Sequence, residues 1–307
     1  MRVALLSGGT GGAKLARGLL DAAGAEGLTV IANTGDDSEV HGVHVSPDPD
    51  LVTYWLADAI DARGYGIAGD TWAVMDALEA AGRPAWFRLG DRDLAMCLIR
   101  TELLAGGARP TEAHAAVGAA MGVAARVLPV ADEPVRTRIA VRGRTLPFQE
   151  FMIVNRGEGP IESVDFAGAR EATPTPEVMD ALAEAEAIVI GPSNPVASIG
   201  PMLAVPGMHD ALAGASAPVV AVSPFVGGEV LKGPTLAFCS YAGIEPSGRG
   251  LLHAYPGLLD GIVADEPIEG VPAHVTDTLM DTPAARRRVA AETLDFAASL
   301  RGTAAGR

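Results

Sequence analysis

The sequence is poor in cysteine, and this argues against two classes of protein. Its 307 residues include 2 cysteines, Cys97 and Cys239, which lie far apart with no second cysteine near either. A disulfide-stapled scaffold and a zinc site built from cysteines are therefore not expected. Free thiols fit a reducing compartment, so we expect a cytoplasmic location.

Basic residues and long apolar runs are also scarce. Lys and Arg number 23 against 38 for Asp and Glu, which gives a net charge of −15. Such a chain repels the phosphates of nucleic acids and anionic membranes, although a local pocket can still bind a phosphorylated small molecule. The longest apolar tract, residues 115–131, contains Arg126 and Pro129, and the start of the chain does not resemble a signal peptide. We therefore expect a soluble protein without nucleic-acid or membrane partners.

What the sequence does contain is an alternation of short apolar runs and helical patterns. The runs are continuous rather than alternating, which is typical of strands buried on both faces of a parallel sheet. This order predicts an α/β fold, a Rossmann-like, doubly wound and mainly parallel sheet with helices on both faces. The predicted strands are residues 3–6, 28–32, 187–190, 219–222 and 261–264. The predicted helices are residues 13–23, 51–62, 71–81, 93–104, 176–186 and 283–300.

The middle of the chain differs from this pattern. Residues 126–171 are richer in Val, Ile, Thr, Phe and Arg, and residues 135–142 alternate polar and apolar side chains. Such alternation predicts a short antiparallel element. No Pro/Ser-rich linker flanks it, so we expect residues 1–307 to form a single α/β domain with a small β-rich insertion at approximately 126–171.

A glycine-rich loop follows the first predicted strand. Residues 7–12 read SGGTGG and lead into Lys14 and a helical pattern. Four glycines within five residues exceed what a tight turn needs, and they allow backbone amides at a helix start to approach a phosphate. Lys14 stands where the third glycine of G-x-G-x-x-G would be, and the Walker pattern is absent too. A phosphate cradle is favoured, and a nicotinamide oxidoreductase or a P-loop nucleotidase is not.

An acidic pair with two prolines follows the second predicted strand. Residues 46–50 read SPDPD, and a proline disfavours helical geometry at the residue before it. Ser46 and Asp48 are thus expected to be extended, with Asp48 and Asp50 pointing to one side. Such carboxylates suit a magnesium ion or the proton of a hydroxyl group. The alternative is a solvated turn in which Asp50 caps a helix beginning at Leu51. The sequence leaves both interpretations open.

Four further loops carry polar groups that suit a ligand. Residues 88–93 read RLGDRD, which places Arg88 and Arg92 beside a polyanion or, slightly favoured, makes Asp91 or Asp93 a helix cap. After the strand 187–190, Asn194 suits a helix cap before Pro195, with free amides pointing into the crevice. Residues 223–228 and 232–235 form similar loops. Such loops at strand ends are expected to converge on one crevice.

Taken together and in order, these motifs resemble one family over nearly the whole chain. They resemble 2-phospho-L-lactate transferase, called CofD in archaea and FbiA in actinobacteria, which makes the deazaflavin coenzyme F420. The matching stretches are residues 7–11 with Lys14 and Leu15, Asn33 and Thr34 with Asp37, residues 46–50 and 89–93, Leu128 and Pro129 with Asp132, Phe148 and Gln149, and residues 191–195, 198–201, 221–224 and 276–280.

The resemblance implies a group transfer that needs magnesium, and it implies a homodimer. A phospholactyl or phosphoenolpyruvyl group would move from lactyl- or enolpyruvyl-2-diphospho-5'-guanosine to the ribityl hydroxyl of 7,8-didemethyl-8-hydroxy-5-deazariboflavin (FO). The products would be coenzyme F420-0, or its dehydro form, and GMP. The three-carbon unit stays open, since small contacts decide it.

The resemblance also assigns residues to this reaction. FO would contact Asp50 and Arg88, the latter at a position where many relatives carry Lys. Asp48 and Asp50 are the expected catalytic residues and the expected metal ligands, without a decision on which does which. The residues expected to hold the guanosine diphosphate of the donor are Gly8, Gly9, Thr10, Gly11, Lys14, Ser193 and Asn194.

A rival hypothesis is a regulatory protein without catalysis. A related family binds nucleotide sugars and shares the glycine-rich opening, and its members typically carry an Asp-Asp-Gly-Gly-Ser run after the second strand. Here residues 36–39 read DDSE. This departure favours the transferase, with the nucleotide-sugar-binding protein as the alternative.

Overall fold

A computed structural model of the chain describes residues 1–227, 229–230 and 233–301, with the backbone alone at 229 and 230. Gly228 and Lys232, which belong to two of the predicted loops, lie outside the described residues. The strands in chain order are β1 (Val3–Ser7), β2 (Leu28–Ala32), β3 (Ser38–Val40), β4 (Val43–Val45), β5 (Arg126–Pro129), β6 (Arg136–Val141), β7 (Arg144–Pro147), β8 (Ile161–Ala167), β9 (Ala187–Ile190), β10 (Val219–Val222), β11 (Phe225–Val226), β12 (Glu229–Val230), β13 (Gly261–Ala264) and β14 (Ala273–Val275).

The helices surround these strands, with a 3-10 turn at Ala25–Gly27 and a π-helical turn at Pro195–Ile199. In chain order they are α1 (Gly9–Ala23), α2 (Pro47–Leu56), α3 (Ala73–Ala80), α4 (Asp91–Ala105), α5 (Pro110–Ala120), α6 (Phe148–Ile153), α7 (Pro176–Glu184), α8 (Gly200–Leu203), α9 (Met208–Ala213), α10 (Thr235–Ala242), α11 (Gly250–Ala254) and α12 (Pro283–Ser299). Within the described ranges, no helix is both long enough and apolar enough to cross a membrane.

The central sheet has the predicted parallel topology. Among the described residues, seven parallel strands follow the order β14-β13-β10-β9-β1-β2-β5. The chain builds outward from β1 in one direction through β2 and β5, and from β9 in the other direction through β10, β13 and β14. This reversal opens a crevice at the carboxyl ends of β1 and β9, the usual ligand site of such sheets. The five predicted strands are confirmed, and β5 and β14 are additional edge strands.

Helices cover both faces of the sheet because its strands are apolar on both. Successive side chains of a strand point to opposite faces. Leu6 therefore packs in one buried cluster with Val178 of α7, whereas Leu5 packs in another with Leu19 of α1 and Val289 of α12. The continuous apolar runs are thereby explained, and the doubly wound α/β fold is confirmed.

The antiparallel element predicted in the middle of the chain is a separate small sheet. Its strands follow the order β7-β6-β8, with antiparallel pairing throughout. β5 lies inside the proposed limits 126–171 but pairs with β2 in the large sheet. The limits of the insertion and the single-domain assignment for 1–307 stay predictions.

Helix α2 corrects the interpretation of the acidic pair. It begins at Pro47 rather than at Leu51, so Ser46 occupies the capping position and Asp48 and Asp50 lie in the first turn. Prolines are tolerated there because the first amides of a helix have no partner inside it. An extended Asp48 and a capping Asp50 were therefore wrong predictions. Residues two apart do not lie directly above one another on a helix, although both carboxylates line one cavity.

The acidic caps of α3 and α4 also differ from the prediction. The Asp91 carboxylate accepts hydrogen bonds from the amides of Ala73 and Val74, each at 3.0 Å, and so caps α3. In return, Asp70 accepts from the amides of Arg92 at 2.8 Å and Asp93 at 3.1 Å, and so caps α4. The two helix starts exchange their caps. The sequence slightly favoured Asp91 or Asp93 as the cap of the helix that follows. That prediction was wrong, because neither residue caps its own helix.

Candidate active site

A cavity of about 1070 Å³ lies where the loops that follow the central strands converge. All the residues predicted for the site line this one cavity, although they come from four separate stretches of the chain. The assignment of a role to each of them stays a prediction. These residues are Gly8, Gly9, Thr10, Gly11, Lys14, Asp48, Asp50, Arg88, Ser193 and Asn194.

The glycine-rich loop forms one wall, and packing accounts for part of its glycine content. A Cβ atom on Gly8 would lie 2.6 Å from Cβ of Ser198 and 2.8 Å from Oδ2 of Asp48, and one on Gly11 would collide with the carbonyl oxygen of Pro192. Gly9 differs, since it has a φ of +66° with nothing within 4 Å of its Cβ position. The open space beside Gly9 and the amides of α1 that follow Gly9 are therefore the parts of the loop available to a phosphate.

The loop after β9 joins the glycine-rich loop across the crevice. The amide of Gly8 donates a hydrogen bond to Oγ of Ser193 at 3.1 Å. Oδ1 of Asn194 accepts from the amides of Val196 at 2.9 Å and Ala197 at 3.0 Å, which confirms its predicted capping role, on a π-helical turn. Its amide group donates to Oγ1 of Thr235 at 3.4 Å. Asn194 thus shapes the wall mainly by fixing backbone.

Asp48 belongs to a pair of buried carboxylates. Its Oδ1 accepts the amide of Gly9 at 2.7 Å, and its Oδ2 accepts Nδ2 of Asn33 at 2.8 Å. The same Asn33 nitrogen donates to Oδ1 of Asp36 at 3.2 Å, and Asp36 also lines the cavity. Burial raises the pKa of Asp48 to about 6, against the opposing effect of these hydrogen bonds. Burial, followed by the charge of Asp48, raises the pKa of Asp36 well above its usual value.

Asp50 has a cationic partner instead. Both of its oxygens accept from the Arg100 guanidinium, Oδ2 from Nη1 at 3.1 Å and Oδ1 from Nη2. Nδ1 of His114 lies 4.0 Å from Oδ1. Burial raises the pKa of Asp50, and the positive charge of Arg100 opposes the rise. The two predicted catalytic carboxylates therefore differ in their surroundings although both line the cavity.

A third carboxylate lies close to Asp50. Oδ1 of Asp93 accepts the Tyr54 hydroxyl at 2.7 Å, and burial raises the pKa of Asp93 to about 7. Asp50, Asp93 and Cys97 each offer one atom within 4.8 Å of the others, close enough to share a metal ion. Arg100 already neutralises Asp50, and burial raises the pKa of Cys97 far above its ordinary value, so its thiol stays protonated. Both features disfavour a cation at this group.

Another part of the cavity lining is aromatic and cationic. The Arg88 guanidinium lies 5.4 Å from the Trp72 ring and donates to Asp76 at 2.6 Å and to Glu79 at 2.5 Å. The Arg63 guanidinium lies 5.1 Å from the Tyr65 ring and 5.4 Å from the Trp72 ring. We call Arg63, Tyr65, Trp72, Trp86 and Arg88 the aromatic wall; all of them line the cavity.

Comparison with known proteins decides the family. The family model for 2-phospho-L-lactate transferase CofD matches residues 3–283. This chain belongs to the CofD family. It is 40% identical over 263 residues to the 2-phospho-L-lactate transferase of Methanosarcina mazei, covering 85% of this chain and 86% of the relative. It is 38% identical over 283 residues to the phosphoenolpyruvate transferase of Kitasatospora aureofaciens, covering 90% and 88%.

A solved structure supports the fold alone. A UPF0052-family protein from Bacillus halodurans superposes with a TM-score of 0.61 at 16% identity, over 95% of this chain and 98% of that one. The relatives named as transferases are much closer in sequence. This CofD-family chain is therefore a transferase of coenzyme F420 biosynthesis, which decides against the regulatory alternative.

Sequence reasoning missed several residues in or beside this CofD-family cavity. Asp36 stands in a polar run after β2, and that position was its only sequence signal. Arg100 lies in the middle of α4 and is 2% exposed, and nothing local marks it as the partner of Asp50. Apart from Arg88, which was predicted, the aromatic wall was missed, since it comes from a stretch, residues 63–88, whose helical pattern is incomplete.

Proposed function

We propose that this CofD-family transferase moves a phospholactyl or phosphoenolpyruvyl group from a guanosine-diphosphate-linked donor to FO and releases GMP. The observation that carries the proposal is that one cavity is lined by a phosphate-type helix start, by buried carboxylates and by an aromatic wall. Donor and acceptor need such surfaces side by side, because phosphoryl transfer depends mainly on positioning and charge stabilisation.

The donor diphosphate is assigned to the glycine-rich loop and the start of α1. The first amides of a helix have no partner inside it and carry partial positive charge, which suits a phosphate group. Lys14 lines the same part of the cavity and adds a full positive charge. Ser193, linked to Gly8, lies across the crevice from this loop and completes the donor site.

The acceptor is assigned to the opposite part of the cavity. A deazaflavin ring is flat and conjugated, and the aromatic wall offers indole and phenol faces together with two guanidinium groups. Asp50 lines the same cavity and would accept hydrogen bonds from the ribityl hydroxyls, as the family resemblance implies. Arg88, on the rim, would contact FO in place of the lysine of many relatives.

Magnesium fits the Asp48 side of the cavity better than Asp50. Asp36 and Asp48 are two buried carboxylates whose pKa values are raised by burial, and oxygen ligands of this kind suit Mg²⁺. The oxygens of Asp50 already bind Arg100, whose charge would oppose a cation. We therefore assign the ion to Asp48 with Asp36 rather than to Asp48 with Asp50. When bound, it would neutralise charge on the diphosphate.

The reaction follows from this arrangement. The FO hydroxyl oxygen attacks the phosphorus that carries the three-carbon unit, a new oxygen–phosphorus bond forms, and the bridging bond to GMP breaks. The hydroxyl proton passes to a carboxylate, and Asp48 or Asp50 is placed to take or orient it. The amides of the glycine-rich loop stabilise charge on the phosphoryl oxygens.

The proposal also covers location and assembly. Cys97 and Cys239 are both free and buried, which supports a reducing compartment, and we propose the cytoplasm. A homodimer is proposed on the family resemblance. Sedimentation of the purified protein at several concentrations tests the dimer.

The deciding experiment offers each donor to the purified protein. Protein, FO and Mg²⁺ are incubated with lactyl- or enolpyruvyl-2-diphospho-5'-guanosine, and products are identified by mass. We expect GMP in equal amount to a phosphodiester of FO, only with FO and a divalent cation present. GMP released equally fast without FO would identify a hydrolase instead.

A further inference from the structure

We propose that Arg100 is a positioning residue that fixes the carboxylate of Asp50 toward the acceptor. The inference rests on the proposed function, since it concerns how Asp50 is presented to FO. Arg100 lies on α4 and Asp50 on α2, and both belong to the described part of the chain. Within the part of the chain that the structure describes, Asp50 lines the cavity and Arg100 does not. Arg100 would therefore act through Asp50.

The geometry leaves the Asp50 side chain little freedom. Two nitrogens of the Arg100 guanidinium bind its two oxygens, and Nη1 also donates to the carbonyl oxygen of His44 at 3.2 Å. The side chains of Arg100 and Asp50 are 2% and 5% exposed. A planar guanidinium held at a third point fixes the plane of the carboxylate, which a lysine ammonium would not do. Asp50 retains lone pairs for further donors, since a carboxylate accepts about four hydrogen bonds.

Stability alone does not explain a buried ion pair at this place. Well-packed apolar residues of similar volume are often as stabilising as a buried ion pair, or more so. Another bidentate pair is exposed: Arg17 donates to both oxygens of Asp58, at 2.7 and 3.0 Å, and the Asp58 side chain is 69% exposed. The Arg100 pair instead lies directly behind a carboxylate that faces the substrate space, which is where fixed orientation affects a reaction.

The other groups around Asp50 do not replace Arg100 as its counter-charge. His114 is the second basic side chain nearby, and burial lowers its pKa to about 3, so it is neutral. Two further neighbours are acidic. The charge of Asp37 raises the pKa of Asp50, and the charge of Asp50 raises the pKa of Asp93. The guanidinium of Arg100 therefore supplies the positive charge that Asp50 contacts.

The test compares Arg100→Met and Arg100→Lys with wild type and with Arg17→Met, which removes an arginine from an exposed bidentate pair outside the cavity. Steady-state kinetics are measured separately for FO and for the donor that wild type uses, together with melting temperature. We expect Arg100→Met to lower kcat/KM for FO by about a hundredfold, the scale of a misplaced active-site group, with the KM for donor within about threefold. Arg100→Lys should recover part of the loss, and Arg17→Met should leave both substrates unchanged.

A double-mutant cycle shows whether Arg100 acts through Asp50. In the Asp50→Asn background, Arg100→Met should cost less than about threefold in further turnover, because there is no carboxylate left to position. The double variant also removes both buried charges, so its comparison with Asp50→Asn keeps the test open if the unpaired charge prevents Arg100→Met from folding. A further loss as large as that in wild type would overturn the inference, as would wild-type FO kinetics in Arg100→Met.

The outcomes also separate this inference from the proposed function. A wild-type protein that releases no GMP with FO refutes the proposed transfer, whatever the variants do. A second outcome is that wild type carries out the transfer, but Arg100→Met and Arg100→Lys lose kcat/KM equally for FO and donor, in proportion to a lower melting temperature. That outcome means a structural role for Arg100 and overturns the inference alone. FO affinity from calorimetry gives a second readout, which should weaken in Arg100→Met and not in Arg17→Met.

Discussion

Two carboxylates that lie two positions apart in the chain have different electrostatic surroundings. Asp50 binds the guanidinium of Arg100, whereas Asp48 shares the amide of Asn33 with Asp36. The first turn of α2 separates them around the helix axis. Removing one negative charge should therefore have a different effect on stability at each position, although both line the cavity.

Asp50→Asn should reduce turnover and stability together. Turnover is expected to fall by on the order of a hundredfold, since a positioned polar group is lost. Stability should also fall, by roughly 3–5 kcal/mol, because the charge of Arg100 is left buried without its partner. Turnover at saturating FO and Mg²⁺ and thermal melting measure the two effects. Wild-type turnover in a folded variant would remove Asp50 from the site.

Asp48→Asn should reduce turnover with a smaller loss of stability. No buried cation loses its partner, and repulsion between Asp48 and Asp36 disappears. Turnover should again fall by on the order of a hundredfold if Asp48 binds the metal ion or takes the proton. The same two measurements apply. A melting temperature that falls as far as that of Asp50→Asn would contradict this account of the two environments.

At the scale of elements, the start of α1 combines packing with ligand binding. Gly11 cannot accept a larger residue without moving the backbone at Pro192, so a variant there would disturb the fold and report little about binding. Gly9 has open space around its Cβ position but a positive φ of +66°. It is the better position for a test, provided that the cost of the backbone conformation is controlled.

Gly9→Ala should weaken the binding of GDP at least tenfold, because its methyl group enters the space left for the phosphates. The strain of a left-handed residue costs roughly 1–2 kcal/mol of stability. Gly24→Ala is the matched control: Gly24 follows the other end of α1, has a φ of +75°, and also has nothing within 4 Å. Calorimetry with GDP and thermal melting compare the two. Equal GDP affinities in both variants would mean that the loop is only a turn.

The elements were predictable from sequence where one local pattern determines them. Buried parallel strands such as β9 and β10 are continuous apolar runs, and they were predicted with their observed limits. The starts of α2 and α4 were not predicted. The start of α2 depends on the tolerance of proline in a first turn. The start of α4 depends on a cap from Asp70, which is twenty-one residues before Asp91 in the sequence. A cap that arrives from another element leaves no signal near the helix that it stabilises.

The site was predictable to the same extent. Loops after parallel strands must meet at one edge of the sheet, so the glycine-rich loop and Ser193 could be placed together. The partners of those residues could not. Arg100 reaches Asp50 from another helix, fifty residues later in the sequence, and the pairing of Asp36 with Asp48 depends on where the side-chain amide of Asn33 points. These contacts are tertiary.

At the scale of the whole molecule, buried carboxylates make stability depend on pH. The pKa of Asp48 is about 6 and that of Asp93 is about 7, both raised by burial. An unfolded aspartate titrates near 4, so the folded state binds more protons than the unfolded state between about pH 4 and pH 7. Stability from these groups is therefore greatest at low pH within that window and decreases as pH rises.

The melting temperature without added metal should fall between pH 5 and pH 8. Asp93→Asn should reduce that slope, because it removes one of the two groups that lose a proton. Mg²⁺ should raise the melting temperature more at pH 8 than at pH 5, since the ion competes with protons for the carboxylates. Melting curves across the pH range, with and without Mg²⁺, measure both effects. A melting temperature that rises steadily from pH 5 to pH 8 would contradict the prediction.

The positions of the tryptophans allow ligand binding in the cavity to be followed by intrinsic fluorescence. Of the 3 tryptophans, Trp72 and Trp86 belong to the aromatic wall, whereas Trp55 packs beneath Arg286 and does not line the cavity. A conjugated acceptor bound against that wall should quench the fluorescence of Trp72 and Trp86 and leave that of Trp55. Titration with FO should therefore lower the tryptophan fluorescence to a plateau above zero. GDP, bound at the glycine-rich loop, should change the emission little, and quenching by GDP as deep as by FO would contradict the assignment of the two ends. Because two of the three fluorescent indoles lie in the aromatic wall, the order in which donor and acceptor bind can be followed by tryptophan fluorescence in the unlabelled protein.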